Sequence, residues 1–150
     1  MPPFGWLEVV EIRDDMGNDR KMSPHLNVVG MVVADMAASL AFYRLLGLDI
    51  PADAAAQPHV EAKLPGGLIL AWDTQAVIGS FDASWSPPTG GPRMSLAFEC
   101  ASPDDVDHTY GQLVAAGAHA HLPPWDAVWR QRYAIVHDPD GNSVDLYASL

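Results

Sequence analysis

The sequence is poor in three things, and each shortage removes a class of function. Cysteine occurs once, as Cys100, so neither an intramolecular disulfide framework nor a thiolate zinc site can be built. Cations are few: 8 Lys and Arg face 19 Asp and Glu, for a formal charge of -11. That balance argues against a nucleic-acid surface and against anionic membranes, both of which call for clustered basic residues. Long apolar runs are missing too, since none approaches the ~20 residues that span a bilayer. Residues 1–24 carry Glu8, Glu11, Asp14, Asp15 and Asp19 and lack the apolar stretch of a secretion signal, so the expected location is the cytoplasm. What remains is a chain of 150 residues, 49% of them hydrophobic, which suits one compact domain with a real core.

From Leu26 to Val33 the chain is apolar and β-branched, which predicts a strand. Asp35 follows as a helix N-cap, with Met36, Leu40, Tyr43 and Leu46 at helical spacing and Gly47 as the closing glycine. After Pro58, residues His59 to Lys63 alternate polar and apolar, Pro65-Gly66-Gly67 turns, and Leu68 to Trp72 runs apolar, which predicts a hairpin. The pattern then recurs. Met94 to Cys100 reads as a strand, Ser102-Pro103-Asp104-Asp105 opens a helix, and Val106, Tyr110, Leu113 and Val114 form a stripe that ends at Gly117. Arg132 to His137 and Asn142 to Tyr147 supply a second hairpin around Pro139-Asp140-Gly141, offset by 74 residues from the first turn. The expected fold class is therefore α+β, with two strand-helix-strand-strand-strand modules at residues 26–73 and 93–148. They form one domain, 25–150, after an N-terminal extension, 1–24, and are joined by a Trp-, Pro- and Gly-containing linker over 74–92.

Two segments carry a resemblance. Val29-Gly30-Met31-Val32-Val33-Ala34-Asp35-Met36 with Ser39-Leu40-Ala41-Phe42-Tyr43-Arg44, and Asp138-Pro139-Asp140-Gly141-Asn142-Ser143-Val144-Asp145-Leu146-Tyr147 preceded by Trp129, are similar to the vicinal oxygen chelate superfamily. That superfamily includes glyoxalase, bleomycin-resistance and extradiol dioxygenase relatives. The resemblance implies two βαβββ modules that form a curled, cup-like mixed sheet with helices outside, commonly in a homodimer. It also implies where metal-dependent members place their ligands: here those positions fall on Val28, Ala71, Ser95 and Asp145. Val and Ala have no lone pair and a neutral serine is a weak donor, so only Asp145 would bind an ion well. No cofactor is expected, and a divalent metal at a relocated site is the alternative.

Alternation assigns the faces. If Val144 and Leu146 pack toward the helices, Ser143, Asp145 and Tyr147 line the cup. The same parity places Asp73 and Ala71, Ser95 and Glu99, His59 and Glu61, and Tyr133 and His137 there. The candidate ligand-binding residues are Asp145, Tyr147, Ser95, Glu99, Asp73, His59 and Tyr133, with Trp129 and Trp85 as stacking platforms. Asp145 is weighed evenly against a plain hydrogen-bonding carboxylate at a strand edge, and Trp129 against a plug at the end of the cup. His119 and His121 share a strand face and mimic a metal pair, but Pro123-Pro124 points to the sheet periphery and a surface role. A relocated metal set would draw on His59, Glu61, His137 and Asp145. Trp72 and Tyr43 are assigned to packing.

The function that follows is a metal-independent protein, resembling bleomycin-resistance proteins, that sequesters a small aromatic or cationic compound in the cup. Asp73, Glu99 and Asp145 would favour positive charge. The competing reading is an enzyme: a lyase, isomerase or dioxygenase with a relocated metal, or a metal-free catalyst with Asp145 or Glu61 as general base. A third is a cup filled by its own side chains, in a protein that works through dimerisation. The expected partners are a small organic ligand and a second copy of the chain.

Overall fold

The computed structural model describes residues 24–150, so the expected extension lies almost wholly outside the described residues. The first module begins with β1 (Val28–Val33) and α1 (Met36–Leu45), continues through a 3-10 helix (Ala52–Ala56), and ends with β2 (His59–Lys63) and β3 (Ile69–Thr74). A seven-residue helix, α2 (Gln75–Phe81), occupies the first part of the expected linker, capped by the Thr74 hydroxyl. The second module is β4 (Ser95–Glu99), α3 (Pro103–Ala115), β5 (His119–Ala127), β6 (Gln131–His137) and β7 (Ser143–Ser149).

The two long helices start where the sequence marks them. Asp35 accepts a hydrogen bond from the Ala38 amide and Ser102 one from the Asp105 amide, satisfying donors that no helical carbonyl can reach. Gly47 and Gly117 follow the two long helices with φ of 89° and 101°, a left-handed conformation that a side chain would strain.

Two open sheets result, ordered β1-β3-β2 and β4-β7-β6-β5. In each, the first strand runs parallel to the last and the others are antiparallel. The second module is the full strand-helix-strand-strand-strand unit. In the first, the strand expected straight after the helix is replaced by the 3-10 helix, because Ala52-Asp53-Ala54-Ala55-Ala56 lies between Pro51 and Pro58 and holds no β-branched or aromatic residue.

Alternation sorts the faces as the sequence predicts. Met31, Val33, Leu70, Trp72, Ala134, Val136, Val144 and Leu146 pack against Leu40, Phe42 and Tyr43 of α1 and Val106 and Leu113 of α3 in one continuous core. Fully burying each Leu or Val stabilises the fold by ~1.5–3 kcal/mol. Trp72 and Tyr43 are both fully buried and meet edge to face, with ring centroids 5.5 Å apart, so both are packing residues.

The Asp138-Pro139-Asp140-Gly141-Asn142 turn ties the modules together. Asp138 is buried and accepts hydrogen bonds from the Asp140 and Asn142 amides and the Asn142 side chain within the turn, and from Tyr43 Oη of α1 at 2.7 Å. Asp140 reaches back to the Ala34 amide just before that helix, at 2.9 Å.

Candidate ligand-binding site

The face of the second sheet turned away from the helices forms a groove with Asp145 at its centre. Asp145 sits between Ala97 of β4 and Ile135 of β6, its residue as a whole only 9% exposed. Both carboxylate oxygens are engaged: Tyr133 Oη donates to one at 2.5 Å and Ser143 Oγ to the other at 3.3 Å. Burial, and then the adjoining Asp145 carboxylate, push the Tyr133 hydroxyl well above the ordinary tyrosine range, so it remains a donor. Tyr147 stacks beside Tyr133, with centroids 6.3 Å apart and planes inclined by 24°.

Aromatic rings wall one end. Trp125 of β5 lies directly across from Tyr133, and Trp129 stands in the three-residue loop between β5 and β6. Arg130 closes that loop with φ of 66°, the left-handed residue that ends such a hairpin turn, and this backbone conformation holds Trp129 over the sheet. The three rings stand edge to face, Trp125 and Trp129 each 5.4 Å from Tyr133 and 6.2 Å from one another. Trp129 Nε1 donates to Gln131 at 3.0 Å, which fixes the indole. These rings with Leu122, Ile135 and Asp145 surround a cavity of 650 Å³. A second cavity of 510 Å³ shares Ile135 and Asp145 and continues past Ser95, Ser143 and Arg93 to His121 and His137. At that end the three imidazoles of His119, His121 and His137 lie together, His137 being stacked on His121 at 4.5 Å and on His119 at 5.0 Å. Burial and the two neighbouring histidines hold His137 below the usual imidazole range.

The structure groups Asp145, Tyr133 and Trp129 around one cavity, stacks Tyr147 beside Tyr133 outside its lining, and sets Ser95 farther along the same groove. It disperses the rest. Glu99 borders a different, apolar cavity of 810 Å³ between the sheets, lined by Leu46, Leu64, Leu70, Leu96 and Phe98. His59 and Asp73 lie on the first sheet, where His59 Nδ1 meets Asp73 at 2.6 Å and Nε2 meets Glu61 at 3.0 Å. The hydrogen bonds to Asp73 and Glu61 raise the His59 pKa. The expected convergence of Asp73, Glu99 and Asp145 is therefore not observed, because Asp73 is committed to His59 and Glu99 faces another cavity. His137 likewise stands apart from His59 and Glu61. Trp85 sits in the connection after α2 and borders neither groove cavity. Trp125, which the sequence marks only as one of three tryptophans in loops or at strand entries and not as a candidate ligand-binding residue, joins Trp129 and Tyr133 around the cavity. Cys100 is half-buried, and burial followed by the nearby Asp105 raises its thiol pKa, which suits an unreactive side chain.

Residues 25–146 match the model of the glyoxalase/bleomycin resistance protein/dioxygenase superfamily. The chain belongs to this superfamily. A glyoxalase/bleomycin resistance protein/dioxygenase family enzyme from Burkholderia phytofirmans is 20% identical with a TM-score of 0.72, over 85% of this chain and 100% of that one. A superfamily protein from Nocardioides is 25% identical with a TM-score of 0.64, over 85% of each chain. A protein of unknown function from Agrobacterium tumefaciens is 28% identical with a TM-score of 0.61, over 85% of this chain and 95% of that one. No curated protein matches. Among the described residues, no helix is long and apolar enough to cross a membrane.

At the positions that the resemblance assigns to metal ligands, the residues present are a poor fit to an ion. Val28 and Ala71 offer no donor atom, Ser95 lies across from Ser143 rather than Asp145, and both oxygens of Asp145 already accept hydrogen bonds.

Proposed function

We propose that this superfamily member binds a small, flat, positively charged organic molecule in the groove of its second module and sequesters it, in the manner of the bleomycin-resistance proteins the chain resembles. The observation that carries this reading is the union of three edge-to-face aromatic rings, Trp125, Trp129 and Tyr133, with the Asp145 carboxylate in one cavity of 650 Å³. Aromatic faces attract cations by ~0.5–2 kcal/mol each, more when water is excluded. A nearly buried carboxylate at the floor adds a counter-charge, and the volume lies within the ~300–1,000 Å³ of small-molecule sites. No covalent step is required, and no ion is needed at the superfamily's usual positions.

The test is a titration with N-methylquinolinium and with uncharged quinoline at neutral pH in chelator-containing buffer, followed by tryptophan fluorescence. The cation should bind more tightly. Asp145→Asn should weaken the cation by about tenfold and leave quinoline almost unchanged, as expected for loss of ~1.4 kcal/mol of charge attraction. Equal affinity for the two compounds, or no effect of the substitution, would count against the proposal.

A further inference from the structure

We propose that His119, His121 and His137 form a binding site for one divalent transition-metal ion, with a coordination position left open toward the groove. This site lies on β5 and β6, apart from the superfamily's ligand positions, and it stands independently of the organic-ligand reading above.

The backbone assembles it. His119 and His137 are direct cross-strand partners, so their side chains leave the sheet on one face. Between the pairs Ala120–Val136 and Leu122–Ile135, strand β5 contains one residue more than β6, and that extra residue is His121. A bulge of this kind redirects the side chain it carries. Here it leaves the His121 ring stacked on His137 at 4.5 Å, closer than the directly paired His119 at 5.0 Å.

The donor atoms are already near coordination spacing. One ring nitrogen from each of the three residues lies within 4.8 Å of the others. Zinc–imidazole bonds of ~2.0–2.1 Å in a tetrahedron require nitrogens ~3.4 Å apart, a contraction that side-chain rotation can supply. His119 and His121 are exposed, so their rings can turn without moving the core. None of the three rings has a hydrogen bond to another described residue, whereas both nitrogens of His59 are held by carboxylates. The cluster therefore offers free lone pairs and His59 does not.

The donor chemistry selects the ion. Three imidazoles without a carboxylate suit zinc, nickel, cobalt or copper(II) and not magnesium or calcium, which prefer oxygen. Three protein ligands are also the number found in zinc sites that keep a position for an outside ligand. That position opens onto the 510 Å³ cavity shared by His121, His137, Ser95 and Asp145. A bound ion would there present a Lewis-acidic contact to a donor atom of a molecule in the groove.

The experiment uses untagged full-length protein stripped by chelator, titrated with cobalt(II) and followed by its visible absorption, with calorimetric titration of zinc alongside. One ion per chain, with cobalt bands typical of low coordination number, is expected. His119→Ala and His121→Ala should each weaken zinc by about a hundredfold, the consequence of losing one of three ligands. Both replace exposed side chains, and thermal unfolding of the apo proteins will verify that they fold. His59→Gln, and His108→Gln at an exposed position of α3, should leave binding unchanged. Failure to bind zinc or cobalt, weak uptake of several ions per chain, or binding that survives both alanine substitutions would overturn the proposal, as would loss of the ion in His59→Gln.

Discussion

Asp145 stands between two buried core residues, Val144 and Leu146, because alternation in β7 turns it to the opposite face of the sheet. There the Tyr133 and Ser143 hydroxyls satisfy it, so its near-burial carries no unmet hydrogen bond. Histidines show environment acting at the same scale in two directions. His59, flanked by Asp73 and Glu61, should titrate above the ordinary 6.5 and His137 below it, in the apo protein followed by NMR. The stabilising effect of protonated His59 is complete below 6.5 and fades as pH rises through its elevated value. For His137 the sign is opposite: as pH falls from 6.5 toward its depressed value, the unfolded chain takes up a proton that the folded one resists, and stability declines. An order of titration reversed between the two would contradict this account. Parity made Asp145, Tyr133 and Tyr147 legible from the sequence. The face of Trp125 was not legible because the ladder shifts between Leu122 and Trp125, at Pro123-Pro124, which resets the faces beyond it. The proline pair is the signal for this shift in the sequence, and it is also what marks His119 and His121 as peripheral there.

Among elements, the β6–β7 turn shows how one short motif serves packing more than chemistry. Its Asp138 accepts the Tyr43 hydroxyl from a helix of the other module at 2.7 Å, and burial raises that tyrosine's pKa so that the proton stays in place. Tyr43→Phe keeps the ring contact with Trp72 but leaves the buried Asp138 short of a donor, so urea unfolding should show a loss of about 1.5–3 kcal/mol. Unchanged stability would mean that the turn is held by its own amides alone. The repeat was readable because caps, glycines and turns recur at the same places in both halves. The 3-10 helix was not, since an alanine-rich segment between prolines carries no period to read. Helix α2 was missed for a similar reason: seven residues give too little of a 3.6-residue pattern.

The molecule combines a shared core with two sheets that remain open, and both proposed sites lie on the second. Carboxylates predominate over the chain, but for the proposed binding the placement of Asp145 beneath Tyr133, Trp125 and Trp129 would matter more than the net charge of -11. The aromatic end and the histidine end meet at Ile135 and Asp145, so one groove would hold both the proposed organic site and the proposed ion site. The central claim, that the groove's aromatic end takes a flat cation, is tested most directly by following indole N–H signals in two-dimensional NMR during addition of N-methylquinolinium. The account predicts saturable shifts of Trp125 and Trp129, while Trp72, fully buried on the other face of the first sheet, remains still. Shifts absent from Trp125 and Trp129, or strongest at Trp85, would contradict it.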